Sequence, residues 1–142
     1  MPSNAPEQIR SILENVHTIA LVGASEKTNR PSHEVMEFLQ NQGYRVIPVN
    51  PRLAGQTLLG ETVFPDLKSV PQTVDMADLF LAPERTDAVI DQAIELKIPV
   101  VWMQLGVINQ PGAARAEGAG LTVVMDRCPK QDISRLGISG KH

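Results

Sequence analysis

Five short apolar runs, rich in β-branched residues, recur along the chain, with a polar loop and an amphipathic stretch between successive runs. They are His17–Gly23 (HTIALVG), Tyr44–Val49 (YRVIPV), Ala77–Ala82 (ADLFLA), Ile98–Met103 (IPVVWM) and Leu121–Met125 (LTVVM). Runs that are apolar at successive positions, not at alternate ones, mark strands buried on both faces. Helical spacing of apolar residues fills the intervals. Ile9, Ile12, Leu13 and Val16 lie on one face of Pro6–Val16, and Val35, Met36 and Leu39 on one face of the stretch that starts near Ser32. Arg85–Leu96, Gln110–Gly118 and Pro129–Leu136 read the same way. Strands that alternate with helices build a parallel sheet with helices on both faces. The expected fold is therefore α/β, a single Rossmann-like, doubly wound and mostly parallel sheet of about five or six strands.

Finer expectations follow from single residues. Ser32 is placed to cap its helix, Gly43 sits where a C-terminal glycine ends one, and Pro48 lacks the N–H that an inner strand needs. The second strand should therefore lie at an edge, and the strand beginning at His17 should be central. Asn50–Gly60 reads as a long turn, followed by a short extended piece near Thr62 and Phe64 and one helical turn over Asp66–Val70. Residues 1–142 are expected to form one domain, with its core over about 9–136 and a frayed C-terminal tail.

Composition excludes several function classes. The net charge is −3, no basic block occurs, and only five aromatics are present, which argues against a nucleic-acid surface. No apolar stretch approaches the ~20 residues that span a bilayer, so no membrane role is expected. Cys128 is the single cysteine, so no intramolecular disulfide forms, and a reducing, cytoplasmic setting is the default. The residues do not identify a protein partner.

In a doubly wound sheet, ligands bind at the carboxyl ends of the strands, where strand order reverses. The first such loop, Ala24–Pro31, is the most informative. Gly23 permits a tight turn, the following helix aims its N–H groups at the loop, and Arg30 adds a fork of charged donors. Together these suit a diphosphate; the plainer alternative is a turning glycine beside a solvated arginine. The dinucleotide fingerprint is absent, because GASEKT has one glycine where G-x-G-x-x-G has three. After the second strand stand Asn50, Pro51 and Arg52, with no acidic residue to hold a ribose hydroxyl. A basic residue there tolerates a ribose phosphate, which favours NADP or coenzyme A over NAD; Arg52 is otherwise an exposed turn residue.

With these residues in place, the chain resembles the small bacterial coenzyme A-binding proteins, which are similar to the N-terminal CoA-binding domain of the succinyl-CoA synthetase α subunit. The resemblance runs from about Ile9 to Leu136. It rests on IALVGAS at Ile19–Ser25, R-x-S at Arg30–Ser32, VIPVNP at Val46–Pro51, WMQLGV at Trp102–Val107 and VVMDRCP at Val123–Pro129. It implies a Rossmann fold with CoA across the strand ends. Gly23, Ala24, Ser25 and Arg30, with Ser32 at the helix start, would meet the diphosphate or adenosine. Asn50, Pro51 and Arg52 would lie near the adenosine, and Ala82, Pro83, Met103, Gln104 and Gly106 along the middle of the site. The synthetase subunit places a lysine just beyond the proline that matches Pro51; here Arg52 is the base at that point and Leu53 is apolar. That subunit also carries its phosphorylated histidine on a second domain, for which this chain has no counterpart. The resemblance thus implies a CoA or short acyl-CoA binding module, a carrier or regulator, without synthetase activity.

No catalytic constellation emerges from the residues. His17, His33 and His142 match no metal spacing, and no Ser-His-Asp or Cys-His order is present. His33 reads as a capping or surface residue. Two other readings stay open: an NADP-dependent or acyl-CoA-using enzyme, and a non-binding scaffold that acts through a protein partner. Cys128 follows the last strand at the ligand edge, with Arg127 and Lys130 nearby, and basic neighbours make a thiol more reactive. It is either a redox-active residue within reach of the CoA thiol or a buried structural cysteine.

Overall fold

The apolar runs become strands because their β-branched side chains pack on both faces of a pleated sheet. In the structure, a computed structural model that describes residues 4–138, these are β1 (Thr18–Val22), β2 (Arg45–Val49), the two-residue strands β3 (Thr57–Leu58) and β4 (Glu61–Thr62), then β5 (Met76–Leu79), β6 (Val100–Met103) and β7 (Thr122–Val124). The helices are α1 (Pro6–Asn15), α2 (Pro31–Asn41), α3 (Thr86–Leu96), α4 (Gln110–Gly118) and α5 (Pro129–Leu136). The expected frayed tail, with His142, falls outside the described residues.

The main sheet has five strands in the order β2-β1-β5-β6-β7, and every ladder in it is parallel. Strand order reverses between β1 and β5, so the crevice above them is where a doubly wound sheet takes its ligand. Alternate residues serve the two layers. Ile19 and Leu21 face α1, α2 and α5 through Ile9, Leu13, Met36, Leu39 and Ile133. Ala20 and Val22 face α3 and α4 through Ile90, Ala93, Ala113 and Ala116. The α/β Rossmann-like architecture is therefore present, with helices on both faces.

Several details differ from expectation. β1 is an inner strand, but β5 holds the middle position, because only β2 lies beyond β1. β2 is the edge strand that Pro48 requires; its outer side is closed by Phe64, whose N–H donates to the Pro48 carbonyl at 3.1 Å. Ser32 does not cap α2. Pro31 occupies the first helical position, which moves the cap back to Arg30, whose side chain makes no capping bond. The turn after β2 is more ordered than a loop: Pro51–Leu53 forms a 3₁₀ turn and β3 and β4 a small hairpin. β5 ends at Leu79, three residues before Ala82, and Pro83–Arg85 forms another 3₁₀ turn.

Candidate functional site

Two clefts open at the carboxyl end of the sheet. The larger has a volume of about 690 Å³ and lies between the first turns of α2 and α5. The smaller, about 440 Å³, lies between the Pro65–Leu67 segment and α3. Gly23, Asn50, Arg52, Phe80 and Leu81 line both, so the two adjoin along the reversal of strand order. A ligand that fills both must be long, with distinct groups at its two ends.

The β1–α2 loop forms the shared wall, and its backbone is tightly held. The Gly23 N–H donates to the Val49 carbonyl at 2.9 Å, and the Ala24 N–H points at the same oxygen at 3.4 Å. Both amides are thus engaged by β2. Asn50 braces the loop from the other side: its Nδ2 donates to the Ala24 carbonyl at 2.8 Å while its Oδ1 accepts the Arg52 N–H at 2.8 Å. His33 is buried, with Nδ1 3.0 Å from the Ser25 carbonyl. A carbonyl only accepts, so Nδ1 carries the proton. His33 therefore ties the loop to α2, neither capping the helix nor lying on the surface.

The rest of the cleft wall is a set of charged and polar side chains. Four cations line the larger cleft, Lys27, Arg30, Arg52 and Lys130, against one carboxylate, Glu34. Arg52 is held by Glu26 in a two-pronged pair at 3.0 and 3.1 Å. Hydrogen bonding to Arg52 is the main cause that lowers the Glu26 carboxyl to about 2, so the pair stays ionised throughout the ordinary pH range. Lys27 and Arg30 have no ion pair among the described residues, and Lys130 lies over the Phe38 ring at 5.6 Å from its centroid. Ser32, in the open first turn of α2, lines the same wall without a side-chain hydrogen bond among the described residues. Pro31 has no N–H and the His33 and Glu34 amides turn back to the Arg30 carbonyl, so the Ser32 amide is the first-turn donor left for a ligand.

The far wall comes from the ends of β6 and β7. Gln104 is 5% exposed, and its Oε1 has no hydrogen-bond partner. The Gly106 N–H donates to Asp126 Oδ1 at 2.7 Å, which joins the two loops. Trp102, fully buried, donates from Nε1 to the Arg127 carbonyl at 2.8 Å and so fixes the chain just ahead of Cys128. Arg127 itself pairs with the buried Asp132.

Of the residues singled out in the sequence, Gly23, Ala24, Ser25, Arg30, Ser32, Asn50, Arg52, Gln104 and Cys128 meet around the larger cleft, and Pro51 lines the smaller. Ala82, Pro83, Met103 and Gly106 line neither. Because β5 ends early, Phe80 and Leu81 take the lining positions, and Met103 packs fully buried in the α3–α4 layer. Lys27 is a lining cation that the sequence reading does not single out, and Lys130, noted there only as a neighbour of Cys128, is another. Lys27 lies in the same loop as Arg30, which was a usable signal; Lys130 reaches the cleft only because α5 packs beside α2.

A protein-family model described as a CoA binding domain matches residues 17–133. The chain is 35% identical over 129 residues to the uncharacterized protein YneT of Bacillus subtilis (strain 168), an alignment that covers 91% of this chain and 93% of that protein. A hypothetical protein from Pyrococcus horikoshii OT3 superposes with a TM-score of 0.89 at 37% identity, covering 96% of both chains. The structure called cell-free ID.343, from Thermus thermophilus, superposes with a TM-score of 0.89 at 35% identity, over 93% of this chain and 98% of that one.

Proposed function

The chain belongs to the family of CoA binding domains, and from that premise we propose that it binds coenzyme A, or a short acyl-CoA, along the two joined clefts. It holds the nucleotide without transforming it, as a carrier or regulator. One observation supports this reading most: Arg30, without an ion pair among the described residues, stands beside the open first turn of α2 at the reversal of strand order. A helix start and a fixed guanidinium are an anion site of the kind that holds a diphosphate. CoA has the required length, with adenosine at one end, an amide-bearing arm at the other and phosphates between. The two clefts, at about 690 and 440 Å³, are each within the usual range for small-molecule sites.

A thermal-shift panel of CoA, acetyl-CoA, NADP, NAD and ATP tests the reading. CoA at a hundred times its Kd is expected to add about 2.7 kcal/mol of stability, a rise of several degrees in Tm. A larger shift with NADP than with CoA would favour a reductase, and no shift with any of them a scaffold. Arg30→Ala is expected to weaken CoA about ten- to hundredfold, the effect of one charged hydrogen bond at roughly 1.5–3 kcal/mol. An unchanged Kd would remove Arg30 from the site.

Arg52 lines both clefts and is the base nearest the end of β2. Its proposed role is to hold the ribose 3′-phosphate, exchanging Glu26 for the ligand; the exposed pair is weak enough to be displaced. Arg52→Ala is then expected to weaken CoA about tenfold and to leave 3′-dephospho-CoA unaffected. Equal losses for both ligands would place Arg52 elsewhere.

A further inference from the structure

The smaller cleft carries a second cation besides Arg52. Arg85 is exposed, lines that cleft, and makes no ion pair and no side-chain hydrogen bond among the described residues. Val89 and Gln92 line the same cleft, and the i, i+4, i+7 spacing of the three puts them on one face at the start of α3. The backbone there is firmly held. The Arg85 N–H donates to the Ala82 carbonyl at 2.9 Å. Thr86, the next residue, is fully buried; its Oγ1 donates to the Pro83 carbonyl at 2.7 Å and accepts from Asn109 Nδ2 at 2.8 Å. An uncommitted guanidinium thus stands on a fixed base.

The charges of this cleft suit a phosphate monoester. Arg52 lines it from the Pro51–Leu53 turn, and Asp66 is the one carboxylate among its lining residues. Asp66 Oδ1 already accepts from the Ser69 N–H and hydroxyl at 2.9 and 2.8 Å. A phosphate monoester carries about −1.5 to −2 charges near pH 7. Arg52 offers one positive charge, and only by leaving Glu26, whose carboxylate stays nearby on the β1–α2 loop. One guanidinium therefore leaves the phosphate undermatched. Arg85 supplies a second, and has no carboxylate to give up.

We propose that Arg85 is a specificity-determining residue of the smaller cleft: with Arg52 it holds the ribose 3′-phosphate, so that this cleft takes a nucleoside with a 3′-phosphate in preference to one without it. The proposal rests on the reading that the two clefts bind CoA, and it leaves the diphosphate at Arg30. Two arginines from separate elements then close on one group, and the discrimination comes from the pair.

Calorimetric titration of the full chain tests this with four ligands: CoA, 3′-dephospho-CoA, adenosine 3′,5′-bisphosphate and adenosine 5′-phosphate. The native protein is expected to bind the bisphosphate at least tenfold more tightly than the monophosphate. Arg85→Gln is expected to weaken CoA and the bisphosphate about tenfold each, and to leave the two ligands without a 3′-phosphate unchanged. With Arg52→Ala added, the preference for the 3′-phosphate disappears. The Tm of unliganded Arg85→Gln stays within about 2 °C of the native value, because the side chain is exposed. Losses that are equal with and without the 3′-phosphate, or no loss at all, overturn the role of Arg85; CoA binding by the native protein then leaves the binding reading intact. A native protein that binds none of the four overturns both.

Discussion

Gly23→Ala is expected to lower Tm by about 10 °C, through a loss of roughly 3 kcal/mol or more. Gly23 has φ +93°, a region where a side chain is strained whatever room it has. Room is also lacking: a Cβ there would lie 2.1 Å from the Phe80 carbonyl oxygen and 2.9 Å from its carbon. Both are backbone atoms, so no side-chain rotation relieves the overlap. Nor can the strands easily part. The Phe80 N–H donates to the Val22 carbonyl at 2.8 Å, while Gly23 is bonded to Val49 on the other side. Any retreat therefore breaks a ladder at the point where strand order reverses. The glycine makes close contact between β1 and β5 possible, and the cleft inherits its shape from that contact. Thermal unfolding of the variant checks this; a change within about 2 °C, the scale of an ordinary surface substitution, would contradict the geometry.

The second large effect concerns pH. Asp78 is 0% exposed in β5, in register with Leu21 and Trp102, and neither carboxylate oxygen has a hydrogen-bond partner. Burial pushes its carboxyl well above the ordinary value of 3.8. The folded state then holds a proton that the unfolded chain releases. Its contribution to stability is complete below the unfolded value and is lost as pH rises toward the folded one, at up to about 1.4 kcal/mol per pH unit. Asp78→Asn abolishes that slope. The variant is expected to gain on the native protein as pH rises, so that the Tm difference between them moves in its favour by several degrees from pH 4 to pH 8. Melting curves across that range decide; a constant difference would mean that Asp78 is hydrated or paired after all.

The sheet was legible because its signal is redundant. Five apolar runs, each too short for a helix, leave little choice of architecture, and Pro48 alone assigns β2 to the edge. Local competition was less legible. Ser32 is a good capping residue, yet Pro31 before it is a better first helical residue, and the proline decides. ADLFLA is apolar to its end, but its last residues bend away from the ladder, so Phe80 and Leu81 replace Ala82 and Pro83 at the cleft. The candidate site was legible as a place more than as a set of donors. Sequence places Gly23, Asn50, Arg52 and Gly106 at the carboxyl ends of strands, and the first three line the clefts there. Only the fold reveals that the amides of Gly23 and Gly106 are taken by Val49 and Asp126, and that Asn50 is a brace. Such pairings join residues far apart in the chain, which no local pattern records.

A crystal structure of the protein grown with excess CoA tests the central claim most directly. The account predicts the diphosphate against the Ser32 amide and the Arg30 guanidinium, with the adenosine and the thiol arm leaving in opposite directions along the two clefts. An empty crevice at saturating CoA, or CoA seated away from the β1–β5 reversal, would contradict it.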